Sequence, residues 1–397
     1  QYPENAPDNY APIANGRVYS SNTIIIVLLV ATLYITDTDY LLKAVRTIYL
    51  NGHTTAYLED YQKFDNRTVE NGVPQPWPEH REYNTAWETE KLSQWNSDLG
   101  TVAFVIIKND SIWFEKYYDG YTEDSKSNSF SMVKSMITAM LGKAIMDGYI
   151  ESLDQSVGDF IPEFSEGMAA QMTVGDLSSM ASGSNWDEAY YSPFSITTRA
   201  YFDDNLRDVI KGLKVIDTPG KVFKYASGDT ELLGMVIEKA TGKTLSKYLS
   251  ESFWKPLGAE HNALWQVDSE REGMEKCFCC LASNAKDFAR FGKLYKDFGK
   301  WNGKQLLDSS FVAKNITPRF PESPQYGYGW WLYNTDDKSY FMMRGHLGQY
   351  VIVEPNDNII IVRLGHQKSP DAGVGVFTED ITVYIEEAYN MLEGNSL

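Results

Sequence analysis

Ser131 and Lys134 stand three residues apart in "FSMVKSMITAMLGKAIMDGYI", residues 130 to 150. On a helix, positions i and i+3 share one face, so the amine can reach the hydroxyl. A helix N-terminus also presents unpaired N–H groups and positive potential, which suit a developing oxyanion. A lysine held among apolar neighbours gives up its charge more readily and can act as a general base. The chemistry this suggests is acyl transfer through a serine nucleophile. The same pair also fits a plainer role, a capping serine beside a surface lysine. The S-x-x-K spacing occurs twice more, at Ser252–Lys255 and Ser283–Lys286. Pro256 follows the first of these at once, and Ser283 reads as a helix cap. Only Ser131–Lys134 follows a strand hairpin and leads into a long apolar helix.

The elements around that pair are legible from pattern. "TVAFVIIK" and "IWFEKYY" are β-branched and aromatic runs separated by "NDS", which predicts a hairpin. Met136, Ile137, Met140, Leu141, Ala144 and Ile145 recur at helical spacing until Gly148. "GDTELLGMVIEKATGK" predicts an amphipathic helix closed by Gly242, and "DFARFGKLYKDFG" another. "KSYFMMRGH", "GQYVIVEP" and "NIIIVRLG" predict an antiparallel meander, and "EDITVYIEEAYNMLEG" a final helix. Strands at both ends with helices between them give an α/β (α+β) fold. Its antiparallel sheet is formed from both ends of the domain and flanked by helices. The α/β part covers about 98–150 and 276–397, and a mostly helical insertion about 151–275. Residues 1–97 read as a tail with a Pro-rich linker, "VPQPWPEH".

The chain has 397 residues, 43% of them hydrophobic, enough for a large core and more than one sub-domain. Its 54 acidic against 36 basic residues give a net charge of −18, which excludes nucleic acid as a partner. Cys277, Cys279 and Cys280 are too close for a disulfide framework and read as small buried thiols in a strand. The uncharged run 23–36 is apolar enough for a membrane anchor, though short of the ~20 residues that span a bilayer. A helix or strand packed on the main domain is the other reading of it.

Further motifs follow in order: "MTVGDLSSMASGSNW", "TPGKVFKYASGDTELLG", "YGYGWW" and "RGHLGQY". With Ser131–Lys134, they resemble the penicillin-recognising serine hydrolases over roughly Leu99 to Glu387. That group comprises class C β-lactamases, D,D-peptidases, related esterases and nylon-oligomer (6-aminohexanoate-dimer) hydrolases. The Tyr-x-Ser form and the Gly-Gln pair are most similar to the nylon-oligomer branch. The resemblance implies a β-lactamase/D,D-peptidase-like fold, with Ser131 acylated, Lys134 its partner and Tyr225 a proton relay. It implies that Ser131 and Gln349 supply the oxyanion-hole N–H groups. Tyr190, Ser227, His346 and Gly348 would contact substrate, the last two on a strand that reads Lys-Thr-Gly or His-Thr-Gly in relatives. No metal or organic cofactor is implied.

Two departures bear on substrate. His346 replaces a fixed cation, and an unperturbed histidine is mostly neutral at pH 7. Ser227 offers one hydroxyl where many relatives carry an asparagine amide. His346 could equally be a turn residue packed on Tyr350. The expectation is an esterase or amidase acting on a small or oligomeric substrate, with β-lactam turnover slow or absent. The alternatives are a D,D-carboxypeptidase or β-lactamase, and a catalytically silent anchored binding protein. An anchor at 23–36 would place the protein on the extracytoplasmic (periplasmic) side, and without one it would be a soluble cytoplasmic protein.

Overall fold

The computed structural model describes residues 21–394, so the polar N-terminal tip lies outside the described residues. In chain order the strands are β1 (Asn66–Val69), β2 (Thr101–Lys108), β3 (Ser111–Tyr117), β4 (Ser127–Asn128), β5 (Ala263–Gln266) and β6 (Leu281–Ser283). After a small hairpin, β7 (Lys300–Trp301) and β8 (Lys304–Gln305), come β9 (Trp331–Asn334), β10 (Ser339–Gly345), β11 (Gln349–Glu354) and β12 (Ile359–Gly365).

The main sheet has six strands in the order β3-β2-β12-β11-β10-β9, every pair antiparallel. As expected, the front of the domain meets its end: Val105 on β2 pairs with Val362 on β12. β2 reads as an unbroken apolar run because both of its faces are covered. Val105 and Ile107 join the core around the helix Val133–Met146, while Phe104 and Ile106 join the core under the terminal helix Glu379–Gly394. Asn109 and Asp110, at φ 50° and 60°, turn the β2–β3 hairpin in the conformation that two-residue turns favour. The sheet and its helices therefore follow the sequence pattern closely.

The N-terminal region does not. It is woven into the domain: β1 pairs with β5 in a second sheet of order β1-β5-β6-β4. Tyr57, Leu58, Phe64, Val69 and Trp77 belong to the main core, and each such buried side chain is worth about 1.5–3 kcal/mol. These apolar positions are scattered singly between polar ones, so they show no period until their partners are in place. The insertion is correspondingly not all helix, since it supplies β5.

The run 23–36 forms a helix, Ser21–Ile35, with no buried residue. At 1.5 Å per residue it is about 22 Å long, short of a ~30 Å hydrocarbon core. Among the described residues no single helix is long and apolar enough to cross a membrane. Ser21–Ile35 and Tyr40–Asn51 pass that test only as a pair, bent by 118°. The helix Tyr40–Thr47 is amphipathic and packs inward through Tyr40, Ala44 and Thr47.

Candidate active site

Phe130 introduces the nucleophile with φ at +45°, a left-handed conformation that costs a bulky residue about 1–3 kcal/mol. It is held by its neighbours. The Phe130 N–H donates to Asn128 Oδ1 at 2.9 Å, and Asn128 Nδ2 donates to Asp60 Oδ1 at 2.9 Å. Asp60 is fully buried and also accepts from Gln266 Nε2 at 3.0 Å and from the Tyr201 hydroxyl. A single turn of 3-10 helix, Phe130–Met132, then presents Ser131 and passes into the helix Val133–Met146.

Lys134 is buried beneath Ser131, and its Nζ lies 2.8 Å from Ser131 Oγ, 3.0 Å from Ser227 Oγ and 2.7 Å from the Phe278 carbonyl. Burial brings its pKa down to about 8, against opposition from Glu188 and Glu231. The polarity of each contact is fixed by what the partners can do. The Phe278 carbonyl only accepts. Ser227 donates its hydroxyl to Glu188 Oε1 at 2.6 Å, so its oxygen accepts from Lys134. A neutral amine has two N–H groups, and both are thereby committed. Its lone pair is left for the Ser131 hydroxyl.

Tyr225 completes the set. Its phenol is close enough to the Ser131 side chain for that group to oppose the rise in its pKa, and Lys134 Nζ lies 5.1 Å from the centre of its ring. Desolvation raises its pKa well above that of an ordinary phenol, helped by Glu188. Tyr225 is therefore a held proton donor, and Lys134 is the group able to accept the Ser131 proton. That divides a task which the resemblance assigns to both.

The remaining sequence candidates separate. Ser227 opens the helix Ser227–Thr241 and faces Lys134 and Glu188, so it braces the base. Tyr190 stacks on the His346 ring at 5.2 Å and donates to Glu188 Oε1 at 2.5 Å. Both residues line the cavity beside Ser131. Burial, with Lys368 nearby, lowers the His346 pKa to about 4, which leaves the ring uncharged. His346-Leu347-Gly348 is a turn between β10 and β11, not a strand. Gly348 is turned toward Arg363, which donates to its carbonyl at 2.8 Å. Gln349 is fully buried, pairs with Gly345, and uses its side chain to bind the carbonyls of His346 and Gly365. Neither Gly348 nor Gln349 lines the cavity, whereas His346 does.

Glu188 is the residue that sequence reasoning passed over. Beyond Ser227 Oγ, it accepts from the Ser227 N–H at 2.7 Å and from Trp186 Nε1 at 2.6 Å. Its only signal was its place as one of two adjacent acids, Asp187 and Glu188, in the aromatic run "NWDEAYY". The cysteines also differ from expectation. They lie in a turn rather than a strand, Cys279 and Cys280 are joined to each other, and Cys277 is a free buried thiol. This turn is what carries the Phe278 carbonyl under Lys134.

A family model described as Beta-lactamase matches residues 86–378. The 6-aminohexanoate-dimer hydrolase of Paenarthrobacter ureafaciens is 24% identical over 303 residues, covering 70% of this chain and 76% of that protein. Protein flp of Staphylococcus aureus is 26% identical over 300 residues, covering 67% of this chain but only 59% of its own length. Among solved structures, a Bacillus anthracis protein assigned as a 6-aminohexanoate-dimer hydrolase superposes with a TM-score of 0.72 at 23% identity, covering 84% of this chain and 91% of that one. A D-amino acid amidase from Ochrobactrum anthropi superposes with a TM-score of 0.56 at 18% identity, covering 75% and 97%.

Proposed function

The chain belongs to the beta-lactamase family, and from that premise we propose a serine hydrolase that cleaves ester or amide bonds through an acyl-enzyme on Ser131. One observation carries the reading: Lys134 Nζ lies 2.8 Å from Ser131 Oγ with its other contacts spoken for. As Ser131 Oγ bonds the substrate carbonyl carbon, its proton passes to the Lys134 amine and the carbonyl electron pair moves onto oxygen. That oxyanion sits between the N–H groups of Ser131 and His346, because His346 borders the cavity where Gln349 does not. Collapse breaks the carbon–nitrogen or carbon–oxygen bond. Tyr225 protonates the departing group and recovers a proton from the Lys134 ammonium. Water then attacks the acyl-enzyme, giving a proton back through the same pair, and the second collapse releases the acid and restores the Ser131 hydroxyl.

The relatives' substrates favour a linear amide or a simple ester. A β-lactam or cell-wall peptide is the weaker reading, since an uncharged His346 offers a substrate carboxylate no cation. Hydrolysis of p-nitrophenyl butyrate by wild type and Ser131→Ala tests the proposal. The variant should lose ~10³-fold or more, and equal rates would refute it. A stable, stoichiometric adduct with fluorescent penicillin would favour the cell-wall reading instead.

We further propose that the helix Ser21–Ile35 attaches the protein to a membrane, with the catalytic domain on the extracytoplasmic side. Ile24 to Leu29 are each 52% to 62% exposed, an arrangement that water disfavours. The full chain should float with phosphatidylcholine vesicles, and recovery wholly in the unbound fraction would remove this part of the proposal. Protease accessibility in intact cells would test the side.

A further inference from the structure

A cavity of about 310 Å³ opens beside Ser131, at the small end of the ~300–1,000 Å³ typical of ligand pockets. One wall comes from the helix Tyr40–Thr47 and the residue after it, through Leu41, Ala44, Val45 and Ile48. Phe194 and Phe202 face them. No Asp, Glu, Lys or Arg lines the space. His346 is uncharged there, and both oxygens of the nearby Glu188 are taken by Ser227, Trp186 and Tyr190. Lys368 acts on His346 from outside the cavity, so a substrate end bearing an ammonium or a carboxylate would find no counter-charge on the lining itself.

The wall is fixed in place. Tyr40 donates its hydroxyl to the Pro193 carbonyl at 3.0 Å, and Lys43 binds Asp204 at 2.6 Å and the Asp268 carbonyl at 3.0 Å. Residues 40–48 precede the segment that matches the family model, 86–378.

The position of Tyr225 says which half of the substrate the cavity takes. Tyr225 does not line it. Its ring lies 5.3 Å from Trp331 and 6.2 Å from Tyr326, neither of which lines the cavity either. A leaving group protonated by Tyr225 departs toward these rings and away from the lining, which leaves the cavity for the other half of the scissile bond.

We infer that the cavity walled by the helix Tyr40–Thr47 binds the acyl half of the substrate, and that this half is an extended, uncharged hydrocarbon chain. The inference rests on the serine-hydrolase reading above and adds a substrate class to it. It is specific to an acyl chain because the apolar wall is continuous with the nucleophile.

The test is kcat/KM of the full chain on p-nitrophenyl acetate, butyrate, hexanoate and octanoate, with the half-ester of adipic acid as the charged counterpart of hexanoate. Each added methylene should raise kcat/KM about fourfold until the cavity is full. The half-ester should be at least tenfold poorer than hexanoate. Ala44→Trp, which fills the cavity, and Val45→Asp, which puts a charge at its rim without disturbing the core, should each lower the octanoate-to-acetate ratio tenfold or more. A flat chain-length profile with turnover still dependent on Ser131 would overturn the inference and leave the hydrolase intact. So would an unchanged ratio in Val45→Asp. Absence of any Ser131-dependent turnover would instead overturn the reading beneath it.

Discussion

The floor and the wall of the cavity are built on opposite principles. At the floor, Lys134 and Ser227 are buried and Glu188 and Tyr225 half-buried; hydrogen bonds hold the first three, and the Tyr225 ring packs on Trp331 and Tyr326. At the wall, Leu41, Ala44 and Ile48 offer only apolar surface. The floor comes from the segment shared with the family, and the wall from residues that precede it. The difference teaches where each property resides: the reactive groups all lie within the segment that matches the family, and part of the apolar wall beside them lies ahead of it.

If that division is sound, floor variants should change the rate for all esters alike. Tyr225→Phe should cost at least ~10² in kcat, uniformly across chain lengths, in steady-state assays. A loss confined to long esters would erase the distinction. Glu188→Gln comes next, at about tenfold. Wild-type kcat/KM should rise with pH through about 8, as Lys134 loses its proton. The Glu188 carboxylate favours the charged lysine, so its removal should move that limb to lower pH. A limb that stays in place would mean Glu188 does not act on Lys134. The smallest effect belongs to the wall: Tyr40→Phe removes the bond to Pro193 and should cost about 0.5–1.5 kcal/mol of stability, read by thermal unfolding, with the rate on acetate scarcely moved.

The same division explains what could be read from the sequence. Local pattern placed Ser131 and Lys134 where a hairpin enters an apolar helix, a position that fits a nucleophile with its base or a cap beside a surface lysine, and it was the resemblance that singled out Tyr225. The six-stranded sheet announced itself through runs such as "TVAFVIIK". The rest depended on distant partners. Glu188 gains its meaning from Ser227, thirty-nine residues away. Gln349 stood at a plausible motif position, but past the turn at His346–Gly348 it is buried, paired with Gly345 and absent from the cavity lining. β1 has four residues and no alternation, so only its pairing with β5 reveals it as a strand.

The brace under Phe130 has a consequence for where this enzyme can be cut. A chain beginning at Leu99 would retain every reactive side chain and would still lack Asp60. Asn128 would then have lost one acceptor, Gln266 another, and the hydroxyl of Tyr201 a third. The twist that aims the attacking oxygen would be left without its anchor, sixty-eight residues upstream. Motif-bearing and motif-free sequence thus form one indivisible unit, and a catalytic fragment trimmed to its recognisable signatures would be poorly aimed.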